Sequence, residues 1–135
     1  MYLNEFSNEQ KNLFLDVAII AIKANGIIDD NEIIELKKYC REMEIEYREK
    51  ERNNDINYLL ERLKEISNES VLRRITIEII SLMYADNDLA DSELSIMDNM
   101  KDKFGFSTHL MSELMFVSKH RLLSRSLIAG ITAVY

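Results

Sequence analysis

A chain of 135 residues with no proline, and with glycine only at Gly26, Gly105 and Gly130, contains almost nothing that stops a helix. Proline removes an amide donor and clashes with the preceding turn, and glycine supplies the positive-φ conformations that loops and tight turns use. Their scarcity predicts an all-α chain without a flexible linker. Hydrophobic residues make up 47% and charged residues 30%, so the chain can bury a core and is not of the low-hydrophobicity, high-charge disordered type. The length suits one domain over 1–135.

Charge and cysteine usage narrow the function classes. Seventeen Lys plus Arg against 24 Asp plus Glu leave a net charge of −7, which disfavours a phosphate-neutralising, nucleic-acid-binding surface. Cys40 is the single cysteine, so an intramolecular disulfide and a cysteine-built zinc site are both excluded, and a reducing, cytoplasmic location is expected. Glu5 and Glu9 precede any apolar stretch, unlike a signal peptide. No apolar run approaches the roughly 18 to 20 residues of a membrane-spanning helix.

Capping signals and apolar spacing predict six or seven helices. Ser7 with Gln10 forms a capping box opening a helix to about Ala24, with Phe14, Val17, Ala18, Ala21 and Ala24 on one face. Asp29 with Glu32 opens a second, whose stripe is Ile33, Leu36, Cys40 and Met43. The charged segment from Tyr47 to Asn54 reads as helical or frayed, and Asp55 caps a connector carrying Ile56, Leu59, Leu60, Leu63 and Ile66. Asn68 or Ser70 caps a fourth with Leu72, Ile75, Ile79, Leu82 and Met83. A fifth spans roughly Ala90 to Phe104, with Leu94, Met97, Met100 and Phe104 inward and Gly105 as its stop. The last begins at Ser107, turns Leu110, Leu114 and Val117 inward, passes Arg121 and runs towards Tyr135.

Residues 24–33, ANGIIDDNEI, align with 85–94, ADNDLADSEL, at an offset of 61. Ala24 and Ala85, Asp30 and Asp91, and Glu32 and Glu93 are identical; Ile28 and Leu89, and Ile33 and Leu94, are similar. Each copy, about 7–44 and 70–106, reads as helix, acidic turn, helix. Two such hairpins packed together predict a pseudo-twofold bundle. In Ala24, Asn25, Gly26, Ile28 and Glu32, and again in Ala85, Asp86, Asn87, Leu89 and Glu93, the chain resembles the TerB-like helical domains of tellurite-resistance proteins; Lys103 to Phe106 also look like that family's ending of the second hairpin. The resemblance covers roughly Phe14 to Phe106. It departs at Asn25, where the family has Asp, and at Asn87, where it has Gly. It implies a helical bundle whose acidic clusters are metal-binding candidates.

The residues support the same reading directly. Carboxylate and amide oxygens are hard ligands suited to calcium or magnesium. The second loop offers Asp86, Asn87, Asp88, Asp91 and Glu93, and the first offers Asn25, Asp29, Asp30 and Glu32. Neither is an EF-hand, because Ala90, Asp91 and Met97 stand where an oxygen ligand, glycine and glutamate are required. Carboxylates in a first helical turn also cap the exposed amides, with a gain of about 0.3 to 1 kcal/mol. Asp86 and Asp88 follow a helix C-terminus instead, where the dipole disfavours them, and this excess is what points to a cation.

Catalytic constellations are weak. His109 and His120, eleven apart, stand roughly 16 Å apart on one helix and cannot share an ion. His109 reads as a surface residue, His120 as an answer to the helix dipole, and Cys40 as an inert core thiol. From Leu114 onward there is no acid, and Lys119, Arg121 and Arg125 give +3, leaving −10 on the rest. The apolar tail SLIAGITAVY packs on the core, docks on a protein partner or a second copy, or touches a membrane peripherally. The expected function is a non-enzymatic cytoplasmic interaction or scaffold module of stress-response, tellurite-resistance-like type, with a divalent cation in an acidic loop. The alternatives are a metal-free structural adaptor and a metal-dependent hydrolase.

Overall fold

The computed structural model describes residues 3–24, 30–48, 53–84 and 91–131, with side chains as far as residue 120. A 3-10 turn at Leu3–Glu5 precedes six α-helices: α1 (Asn8–Lys23), α2 (Asp30–Met43), α3 (Ile56–Ile66), α4 (Glu69–Met83), α5 (Asp91–Phe104) and α6 (Thr108–Ile131). Among the described residues there is no strand. Short-range signals set most helix starts. The Ser7 hydroxyl accepts from the Gln10 amide at 3.1 Å while the Ser7 amide donates to Gln10 Oε1 at 2.9 Å, completing the capping box. Asp55 caps α3 through the Tyr58 amide, Asn68 caps α4 through the Val71 amide, and Ser107 caps α6 through the Leu110 amide.

Helices α1 and α4 form the centre. Leu13 to Ile19, Ala21 and Ile22 are buried on α1, and Ile75, Thr76 and Glu78 to Met83 on α4. A helix buried around most of its circumference needs neighbours on several sides. Accordingly α1 contacts α2, α3 and α4, while α4 also contacts α5 and α6. The buried side chains of all these elements join one hydrophobic cluster. Leu3 and Phe6 belong to it as well, an N-terminal contribution that periodicity does not reveal because the segment is shorter than one helical repeat.

Two helices end the same way. After α2, Glu44 adopts φ 59°, its amide donates to Arg41 O at 3.2 Å, and the Ile45 amide donates to Cys40 O at 3.0 Å. After α5, Gly105 adopts φ 75°, its amide donates to Asp102 O at 3.3 Å, and the Phe106 amide donates to Lys101 O at 3.0 Å. Both are Schellman endings, in which a left-handed residue lets two amides satisfy the last carbonyls.

Four polar contacts orient α3. Arg62 grips Glu9 of α1 through Nε and Nη2 at 2.6 and 3.0 Å. Gln10 Nε2 donates to Ile66 O and Ser67 Oγ. On the other side Lys64 Nζ donates to Phe104 O at 3.2 Å, and Lys103 pairs with Glu61 at 2.6 Å. Exposed ion pairs of this kind contribute about 0 to 1 kcal/mol each, so Leu59, Leu60 and Leu63, all fully buried, hold the helix and the polar contacts set its angle.

Two inward assignments are corrected. Leu94 is 39% exposed and Val117 45% exposed. Helix α5 buries Glu93, Ile96, Met97, Met100 and Phe104, and α6 buries Met111, Leu114 and Ser118. A stripe of three- and four-residue steps can be phased in adjacent ways, and the packing neighbours choose between them. Residues 45–48 and 53–55 are non-helical, so of the two readings of Tyr47 to Asn54, helical or frayed, the helical one does not hold over that part. Because α6 runs to Ile131, His120 lies mid-helix and does not answer a helix end.

Candidate functional site

The acidic segments run into the starts of α2 and α5, and of the nine carboxylate and amide candidates four fall on described residues. Asn25, Asp29, Asp86, Asn87 and Asp88 lie outside them. Asp30 and Asp91 are the first residues of α2 and α5 and are exposed. Two positions on, Glu32 is 4% and Glu93 2% exposed, and both are engaged by neighbours. A buried carboxylate is strongly disfavoured unless hydrogen-bonded, and a helix N-terminus supplies unsatisfied amides and a favourable dipole. Among the described residues no three of His, Cys, Asp and Glu gather where they would hold a metal ion.

A second polar group lies where α1, α2 and α4 meet. Glu78, fully buried, accepts from Tyr39 Oη at 3.1 Å, and Arg74 approaches its other oxygen at 3.8 Å. The Tyr39 ring meets Phe14 edge-on at 5.6 Å. Asp16, also buried, belongs to α1. Sequence reasoning missed these residues, although a signal existed: Glu78 is in phase with Ile75, Ile79 and Leu82, as Glu93 is with Ile96, Met97 and Met100.

The remaining candidates separate. His109 pairs with Glu113 at 2.9 Å on the outside of α6, its side chain 86% exposed. Cys40 is buried in the core. On the outer side of α6, Phe116 is 68% exposed and stacks on His120 at 5.6 Å. Compared with protein-family models, curated proteins and solved structures, the chain matches none.

Proposed function

We propose that this chain is a non-enzymatic interaction module of TerB-like type, built from two related helical hairpins whose acidic turns present a divalent-cation site or a surface for a basic partner. The observation that carries the reading is the agreement of the two copies at an offset of 61. Glu32 and Glu93 occupy the same place and are both buried; Glu44 and Gly105 occupy the same place and both have positive φ. The packing of α1 on α2 and α3 is matched by that of α4 on α5 and α6, which supports the reading, whereas the packing of α3 on α5 has no comparable α6–α2 counterpart.

In this reading Asp86, Asp88, Asp91 and Glu93 form the stronger acidic group, and Asn25, Asp29, Asp30 and Glu32 the weaker. Hard oxygen donors select calcium or magnesium. A cytoplasmic, stress-response role of tellurite-resistance type rests on the resemblance. No catalytic role is proposed: a metal-dependent hydrolase would want a third ligand such as His109, and that imidazole is engaged with Glu113. The metal-free adaptor is the second reading, favoured by the exposure of Phe116.

Thermal melts of chelator-treated protein, with and without calcium, magnesium, manganese or zinc, test the cation reading. A ligand at a hundred times its dissociation constant stabilises the native state by about 2.7 kcal/mol, a shift of several degrees at this chain length. The expected result is a shift for one ion that disappears in the Asp86→Asn/Asp88→Asn variant. No shift with any ion, or one that survives in that variant, overturns the site.

A further inference from the structure

Helices α2 and α5 stand at an offset of 61: Asp30–Met43 and Asp91–Phe104 are both 14 residues long, and each ends in a left-handed turn. They are not equally held. Helix α5 packs chiefly on α3 and α4, its Lys103 pairs with Glu61 of α3, and Lys64 Nζ donates to its last carbonyl, Phe104 O, at 3.2 Å. Helix α2 packs chiefly on α1 and on the three-residue turn at Leu3–Glu5, so one turn covers it where a whole helix covers α5. Its tie to α4 is the Tyr39 hydroxyl on Glu78, a polar contact inside the core. Ile96 is buried on α5, whereas its counterpart Glu35 is half-buried and pairs with Lys38; Cys40 against Lys101 runs the other way. Glu44 closes α2 at φ 59°, a strain released when α2 unwinds, and Gly105 closes α5 at φ 75° without that strain.

We infer that α2 and the Leu3–Glu5 turn open together as one unit, at a lower free energy than the unfolding of the whole chain, while α5 stays docked. Elements with few packing neighbours open locally before the core does. The turn has α2 as its main partner, so neither keeps its cover when the other leaves. Opening withdraws the Tyr39 hydroxyl from Glu78, and Arg74, one turn earlier on α4 with its guanidinium 3.8 Å from that carboxylate, is placed to compensate the charge. Asp30 and Glu32 move away with α2, whereas Asp91 and Glu93 keep their places on α5. Of the two acidic groups, the first is therefore the conditional one. That consequence rests on the interaction-module reading; the opening itself involves no ion.

Native-state hydrogen exchange of the full chain, in chelator, tests it by comparing counterpart amides: Leu36 with Met97, Tyr39 with Met100, and Cys40 with Lys101. The expected result is protection at least about tenfold lower on α2 than on α5. The α2 amides should also respond less steeply to denaturant, because a partial opening exposes less surface than global unfolding. Gly105→Ala separates the two openings. It strains a turn that stays folded when only α2 leaves, so protection should fall about fivefold on α5 and stay unchanged on α2. Equal protection on the two helices of the parent chain, or lower protection on α5, overturns the proposal, as does a fall of the same size on both in Gly105→Ala. With no metal present, failure here leaves the cation site standing, and melts that show no ion binding leave the opening standing.

Discussion

Glu44 and Gly105 end α2 and α5 with the same left-handed turn, at φ 59° and 75°, and with the same pair of backbone hydrogen bonds. Glycine adopts that conformation without penalty, whereas a side chain there is disfavoured by roughly 1 to 2 kcal/mol. One copy of the turn therefore holds the suitable residue and the other does not.

Glu44→Gly should accordingly stabilise the protein by about 1 kcal/mol, and Gly105→Ala should destabilise it by a similar amount. A Cβ on Gly105 would meet only Lys64 Nζ at 3.8 Å, an ordinary contact, so the expected loss is conformational and not steric. Urea unfolding of both variants checks the opposed signs; equal signs would mean that the turns are not equivalent.

Tyr39→Phe removes the hydroxyl that donates to the fully buried Glu78 carboxylate. The expected loss is about 1 to 3 kcal/mol. Glu78→Gln keeps an acceptor for Tyr39 and removes the charge, so it should be milder, and the double variant should lose less than the sum of the two. A double-mutant cycle by chemical denaturation measures this.

The bidentate Arg62 hydrogen bonds hold the Glu9 carboxyl below the usual carboxylate range. A folded-state pKa below the unfolded one means stability that is present above the unfolded value and lost as pH falls through the folded value. Melts of the parent chain and Glu9→Gln should differ at neutral pH and converge in acid, with the difference also shrinking in high salt. A difference that grows on acidification would contradict the assignment.

Gln10 serves two helix ends. Its Oε1 accepts from the Ser7 amide at the start of α1, and its Nε2 donates to Ile66 O and Ser67 Oγ at the end of α3. Gln10→Ala should therefore destabilise by more than the roughly 1 kcal/mol expected of Ser7→Ala, and hydrogen exchange should rise at both ends. Exchange confined to the first turn of α1 would show the link to α3 to be idle.

The acidic positions were legible as residues and less so as an arrangement. Asp30, Glu32, Asp91 and Glu93 stood out by repetition alone. That Glu32 and Glu93 are buried while Asp30 and Asp91 face solvent depends on the side from which the core approaches, and repetition carries no record of it. The same ambiguity let Leu94 and Val117 be placed inward when Glu93 and Ser118 take those sites.

What the sequence determined by itself is local. The absence of proline permits helices, and the Ser7–Gln10 box, the cap at Asp55, the choice of Asn68 or Ser70, and Ser107 specify their starts, because each of these signals acts over three or four residues through one or two hydrogen bonds. Tertiary structure decided the azimuth of each helix, the burial of Glu78 beneath Tyr39, the recruitment of Leu3 and Phe6, and the double duty of Gln10. Those outcomes join residues tens of positions apart, and they are set by which faces can be desolvated together. No periodicity within a single helix encodes that choice.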